Sequence, residues 1–517
     1  MTYHSRKIKK HRLILFICAA GTLLIGVILL FLFRQNSLFA LKETTEDPVK
    51  TPATALEAPR STPAEPKKKG PERSLYEIAA KLSKDGSTLS CIERITYVNT
   101  SNDTLYEIVL NTYANAFLSE KAVSEKEFKN VYGKEFSIGG IEIERMSLNG
   151  FPCFYKYKNP DKTQLGVPLF LELEPGDRAE IILEFKLTIP KANNRFGAGK
   201  NATMLGNVFP IAAVYENGWR LDDYIPIGDP FFSETSDYKL AVQLPKEYML
   251  LSTGSIVSTS ASDETVTYYI AAPGVREAAL AFAADYAFVS RQSGTVTVNS
   301  SAKTESRALF AAEAACEALS VFSGLIGPYP YESLSVVQSD IGGGMEYPGL
   351  IMIGEECYGK YNKEFGEFCI AHETAHQWWY AAVGSDQINT PWVDEALAEY
   401  MGFVYWREKY GEKEFERLWA RYIGPKPDHL NHPIDAPLFE FSSVSDYAES
   451  VYRQGARMLR ALNEKIGDKV FFMALKKYYE RNFGKTASER DLAGAFMEAS
   501  GEDLTGFFAD WGIDLND

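Results

Sequence analysis

Near Gly294 the hydrophobic pattern of this chain changes its period, and the change divides what it can fold into. From about residue 74 to residue 289, apolar and polar side chains mostly alternate, as over 91–98, 105–110, 169–173, 179–189 and 238–244. Alternation sends every second side chain to one face, so these runs read as half-buried strands. Turn signals such as Ser101-Asn102-Asp103 and Pro175-Gly176-Asp177 separate them. Beyond Gly294 the spacing predicts helices over 306–326, 365–381, 395–410, 413–422, 445–466, 469–483, 488–499 and 504–511, with a strand over 333–338. The expected fold is α+β and multidomain: an N-terminal antiparallel all-β domain over 74–292, then a mainly helical domain over 293–517.

The N-terminus follows other rules. Residues 13–33 form 21 consecutive positions without a charge, enough to cross a bilayer as a helix. Arg6, Lys7, Lys9, Lys10 and Arg12 precede the run and only Arg34 follows closely, which predicts a cytoplasmic tail over 1–12 and an uncleaved transmembrane signal anchor over 13–33. The rival is a cleaved signal peptide, whose apolar stretch is usually shorter, about 7–15 residues. Residues 34–73 hold six prolines (Pro48, Pro52, Pro59, Pro63, Pro66 and Pro71) and little that is apolar, so they read as an extended linker. Such a chain is a cell-membrane protein with its folded body on the extracellular side.

The formal charge is −15 despite the basic tail, so the body repels phosphate backbones and nucleic-acid binding is excluded. Besides Cys18 in the apolar run there are five cysteines, an odd number at irregular spacings with no C-x-x-C pair. They read as small buried hydrophobes.

Only four of the six histidines lie beyond residue 33, and two of them stand in His372-Glu373-Thr374-Ala375-His376. On a helix this spacing puts both imidazoles on one face, about 5–6 Å apart, able to grip one metal ion. Glu373 can lie beside an open coordination position and take a proton from water there. A catalytic zinc site wants a third protein ligand, and Glu395 follows His376 after eighteen residues, on the next predicted helix. Glu399, one turn later, reads as part of a solvated helix face. His429 and His432 flank a proline-rich loop and read as structural.

The stretches H-E-T-A-H-Q-W-W-Y (372–380) and P-W-V-D-E-A-L-A-E-Y (391–400) resemble the gluzincin zinc aminopeptidase family, which includes aminopeptidase N, in a short bacterial membrane-anchored form. The resemblance covers most of residues 90–515 and implies a thermolysin-like catalytic domain that removes N-terminal residues from peptides. It implies one zinc ion per chain, held by His372, His376 and Glu395, with Glu373 as the base. The family's G-x-M-E-N pattern is matched by Gly343-Gly344-Met345-Glu346-Tyr347, so Gly343, Gly344, Met345 and Glu346 should bind substrate, with Glu346 on the free α-amine. In Val451-Tyr452-Arg453-Gln454-Gly455, Tyr452 stands where the family has the tyrosine that donates to the oxyanion, and Tyr447 occupies a second recurrent tyrosine position.

The chain departs from the pattern at Tyr347 (usually asparagine), at Tyr380 and at Ala396 (both usually glycine). The family's F-P-C-F-D-E-P stretch has no counterpart, because Phe209-Pro210 to Asp229-Pro230 runs differently. The sequence also stops where typical members add a helical C-terminal domain that roofs the cleft. Two other readings therefore stay open at this point: an endopeptidase or other zinc hydrolase with the same site, and a tethered peptide-binding module without turnover.

Overall fold

A computed structural model describes residues 72–515 apart from 360, 361, 426 and 428. The tail, the anchor and nearly all of the linker expected from the sequence lie outside the described residues. The alternating runs do form strands. An eight-stranded sheet has the order Ser255–Ala261, Thr265–Val275, Ser236–Pro245, Leu75–Leu82, Thr88–Val98, Arg178–Thr188, Gly140–Leu148 and Phe151–Pro152. Two four-stranded sheets complete the β region. Alternate residues of the central strands (Ile78, Ala80 and Leu82; Ile181, Leu183, Phe185 and Leu187) are buried in one core, which is what a period of two achieves when one face packs. One expectation is corrected. The region is not wholly antiparallel, because Leu75–Leu82 runs parallel to Ser236–Pro245 in the middle of the large sheet. Such a pairing joins segments far apart in sequence, which alternation alone does not reveal.

The helical region also holds a mixed five-stranded sheet, ordered Ala287–Ser293, Val296–Ala302, Ser333–Ser339, Leu350–Gly354 and Gly344–Met345. Its first hairpin, Ala287–Ser293 with Val296–Ala302, spans residues 292 and 293. Ser333–Ser339 and Leu350–Gly354 are buried along their whole length. Gly344–Met345 is the edge strand and pairs only with Leu350–Gly354, so its outer side is open to the cleft.

Helix Glu305–Leu325 is capped by the Thr304 side chain and packs on this sheet through Ala308, Ala311, Ala312, Ala315 and Ala318. Small residues at helical spacing let helix and sheet approach closely. Two further helices, Lys363–Ala375 and Trp392–Tyr410, pack against each other so tightly that a Cβ on Gly402 would lie 3.0 Å from the Phe368 ring. The second has apolar residues buried all round, from Trp392 to Trp406.

Candidate active site

Helix Lys363–Ala375 ends at His376, not at residue 381 as expected. The chain turns there because Tyr380 has φ +118°, outside the helical region. This turn lets the carbonyl of Trp379 meet His376 Nδ1 at 3.0 Å. A proton held on Nδ1 leaves the Nε2 lone pair of His376 facing inward. His376 Nε2 lies 3.1 Å from His372 Nε2 and 3.2 Å from Glu395 Oε2, and His372 Nε2 lies 3.5 Å from the same oxygen.

This triangle has the size of one face of a zinc tetrahedron, whose edges are about 3.3 Å for bonds near 2.05 Å. All three residues are buried, and Glu395 Oε2 has no hydrogen-bond partner. Burial alone would hold His372 neutral, yet its contacts with Glu395 and Glu399 raise its pKa well above the ordinary value. The cluster therefore calls for positive charge, which a dication between neutral imidazoles supplies. The residues fit zinc.

Glu399 is not on a solvated face. Its Oε2 lies 3.0 Å from His372 Nδ1, so one turn of helix carries both a ligand carboxylate and a carboxylate that pairs with a ligand histidine. Its spacing from Glu395 contained that information, but an acid on a helix is commonly solvated.

Glu373 packs against the edge strand. A Cβ on Gly344 would lie 2.2 Å from Glu373 Oε1, so only glycine allows the carboxylate to sit there. Burial pushes the Glu373 pKa up to about 7, offset by the two histidines. Gln377, the residue after His376, ties motif and strand together. Its Nε2 donates to the carbonyls of Glu346 and Tyr347, and its Oε1 accepts from the Gly349 N–H at 2.8 Å.

A cavity of about 360 Å³ contains His372, Glu373, His376 and Glu395 together with Gly343, Gly344, Met345 and Glu346. The Gly343 N–H is taken by Glu356 Oε1 and its carbonyl by the Gly354 N–H, so Gly343, at φ +77°, shapes the turn into the edge strand. Glu346 is buried, with Gln387 Nε2 3.4 Å from its Oε1. Burial, reinforced by Asp229, Glu373 and Glu395, pushes its pKa well above the usual carboxylate range. A cation entering beside Glu346 would relieve that repulsion.

Tyr452 also reaches the site. Its hydroxyl donates to Glu395 Oε1 at 2.6 Å, and its ring stacks on His372. The single helix expected over 445–466 is instead α-helical over Val444–Tyr447, π-helical over Ala448–Gln454 and α-helical again over Gly455–Ile466. The wider π turn carries Tyr452, a placement common at functional sites. Tyr447 lines the same cavity. Ala396, a departure from the pattern, is accommodated by Gly455, where a Cβ would lie 2.4 Å from the Ala396 methyl. His432 pairs with Asp446, and neither His429 nor His432 lines the cavity.

The β region also contributes to the site, without a signal in the sequence. Asp229 and Arg195 line the cavity and pair at 2.5 Å, and the Arg195 side chain also donates to the Gly228 carbonyl. Neither has a spacing signal, because each comes from a loop far from the motif. A second cavity of about 460 Å³ shares Arg195, Gly228, Gly342, Gly344, Met345 and Val444 with the first.

Residues 310–511 match the Peptidase family M1 domain. Aminopeptidase 2 of Candida albicans is 25% identical over 301 residues, which is 53% of this chain and 32% of that protein. The chain thus spans about a third of the length of the curated relatives it matches. Among solved structures, the M1 zinc metallopeptidase of Deinococcus radiodurans superposes with a TM-score of 0.61 at 18% identity, over 85% of this chain and 93% of that one. A mutant of the same metallopeptidase bound to a Tyr-Ser-Ala substrate gives 0.60 at 18% identity, with the same coverage. The chain thus resembles a Peptidase family M1 domain and aminopeptidases in sequence, and shares the fold of M1 zinc metallopeptidases.

Proposed function

We propose that this chain is a zinc aminopeptidase that hydrolyses the first peptide bond of peptides with a free N-terminus. One observation carries the reading: a single buried cleft holds the metal triangle, a carboxylate that is no ligand (Glu373) and a second carboxylate (Glu346) placed to receive a cation. One zinc ion, held by His372, His376 and Glu395, would supply a Lewis acid that polarises the scissile carbonyl and acidifies water. Glu346 takes the substrate ammonium and sets the register of the first residue. The open side of Gly344–Met345 receives the peptide backbone as an added strand, which then runs towards the second cavity. Glu373 removes a proton from the attacking water and returns it to the leaving amine. Tyr452 donates from its hydroxyl to the developing oxyanion.

A pure binding module has no need of Glu373, and the carboxylate is present beside the triangle. An endopeptidase would need no buried acid at the end of the cleft. Hydrolysis of matched peptides with free and N-acetylated termini separates the two, since only an aminopeptidase distinguishes them strongly. We further infer a membrane-anchored form, held by residues 13–33 with the catalytic domain outside the cell. Membrane fractionation with protease protection of the intact chain tests that: a soluble chain, or a catalytic domain shielded inside the cell, would refute it.

A further inference from the structure

We propose that Glu277 is a positioning residue that couples the two ends of the cleft, holding the metal end through Tyr380 and the amine end through Asn207 and Tyr347. The inference rests on the aminopeptidase reading of the site.

Glu277 comes from the β region, two residues past strand Thr265–Val275, and is 3% exposed. Its two carboxyl oxygens serve different ends of the cleft. Oε1 accepts from the Tyr380 hydroxyl. Tyr380 follows Trp379, whose carbonyl meets His376 Nδ1. The preceding residue, Arg276, grips the same turn from the other side. Its Nε donates to the Tyr380 carbonyl at 2.6 Å, and its terminal nitrogens donate to the carbonyls of Ser233 at 2.7 Å and Lys485 at 2.6 Å. A non-glycine residue at φ +118° persists only when its surroundings hold it, and Arg276 with Glu277 does so.

The other branch starts at Oε2, which accepts from Asn207 Nδ2. Asn207 Oδ1 in turn accepts from the Tyr347 hydroxyl at 2.7 Å. Tyr347 adjoins Glu346 and is buried against Gly206, where a Cβ would lie 1.8 Å from the Tyr347 oxygen. The two departures from the family pattern at Tyr347 and Tyr380 therefore meet on one carboxylate. Along both branches the side-chain donors Tyr380, Asn207 and Tyr347 run towards Glu277. A carboxylate can accept on both oxygens, whereas a glutamine keeps one acceptor and turns an NH₂ group either towards Asn207 Nδ2, which breaks that branch, or towards Tyr380, whose hydroxyl must then reverse and accept.

The test uses the full chain and three variants, Tyr380→Phe, Tyr347→Phe and Glu277→Gln. Zinc affinity is read by metal titration, and kcat and KM are read on a free-amine peptide. Tyr380→Phe should weaken zinc up to about tenfold, because it loosens the turn that presents the Trp379 carbonyl to His376, with KM unchanged once zinc is saturating. Tyr347→Phe should raise KM about tenfold with zinc affinity unchanged. Glu277→Gln should show at least one of the two effects, set by which branch its NH₂ group faces. A merely structural network would lower the melting temperature and move neither quantity. Wild-type zinc affinity and KM in a folded Glu277→Gln chain would overturn the proposal. If that variant does not fold, wild-type values in both tyrosine variants would overturn it. Failure of the underlying reading looks different: the wild type itself would then cleave free and blocked peptides equally.

Discussion

The metal end of the cleft is built from one short stretch of chain, whereas the amine end is assembled from distant segments. His372, His376 and Glu395 sit on two adjacent helices that pack directly, and their triangle follows from helical spacing and one crossing. Glu346 is held by Gln377 and Gln387, and through its neighbour Tyr347 by Asn207 and Glu277 of the β region. The difference teaches where a family pattern transfers. Local spacing carries the metal chemistry from chain to chain, while the selecting end depends on long-range contacts that each chain builds for itself.

Breaking the metal end should have the largest effect. Replacing Glu373 with Gln is expected to cut turnover by roughly 10⁴-fold, the upper end for loss of a general base. Zinc should stay bound, because no ligand is removed; elemental analysis beside the kinetics checks both halves. Chelation should abolish activity, and zinc should restore it. Tyr452→Phe comes next, with kcat lower by roughly 10²–10³ in single-turnover assays. Zinc should still bind, since the tyrosine contacts a ligand and is not one, but more weakly, because its hydroxyl is a partner of the ligand Glu395.

The amine end should respond more weakly and more selectively. Glu346→Gln is expected to lower kcat/KM roughly tenfold to a hundredfold on free-amine peptides and to leave N-blocked peptides almost unchanged. An equal loss on both would mean that Glu346 shapes the cleft without reading the amine.

Glu93 sharpens the comparison as a buried carboxyl that serves neither end. It lies in the large sheet between Ile78 and Leu183, fully buried, and neither of its oxygens has a hydrogen-bond partner. Burial raises its pKa well above 4.5, so the folded state holds the proton more tightly than the unfolded chain does. The stability it contributes is present at acid pH and is lost as pH rises above about 4.5. Glu93→Leu should therefore stabilise the protein by about 1–3 kcal/mol at neutral pH, less in acid, with kcat and KM unchanged. Denaturant melts at two pH values measure it.

The same contrast accounts for what the sequence disclosed. Strands such as Thr88–Val98 and Arg178–Thr188 were legible because one face is buried and the period is two. The metal triangle was legible because a helix turns fixed spacings into a fixed geometry. The parallel pairing of Leu75–Leu82 with Ser236–Pro245 was not, since it is set by packing between distant segments. The early end of the motif helix was hidden because Tyr380, not glycine, takes the positive φ, and the residues that hold it, Arg276 and Glu277, lie in another region. The π turn at Ala448–Gln454 has no compositional mark either. Its observed consequence is the reach of Tyr452 to Glu395.

The most direct test of the account is hydrolysis of one peptide in two forms, free and N-acetylated, by the zinc-loaded full chain with products identified by mass. Release of the first residue from the free form is expected, with at least tenfold slower cleavage of the acetylated form, because the blocked terminus leaves Glu346 without its cation. Cleavage of both forms at the same rate, or at an internal bond, would contradict it.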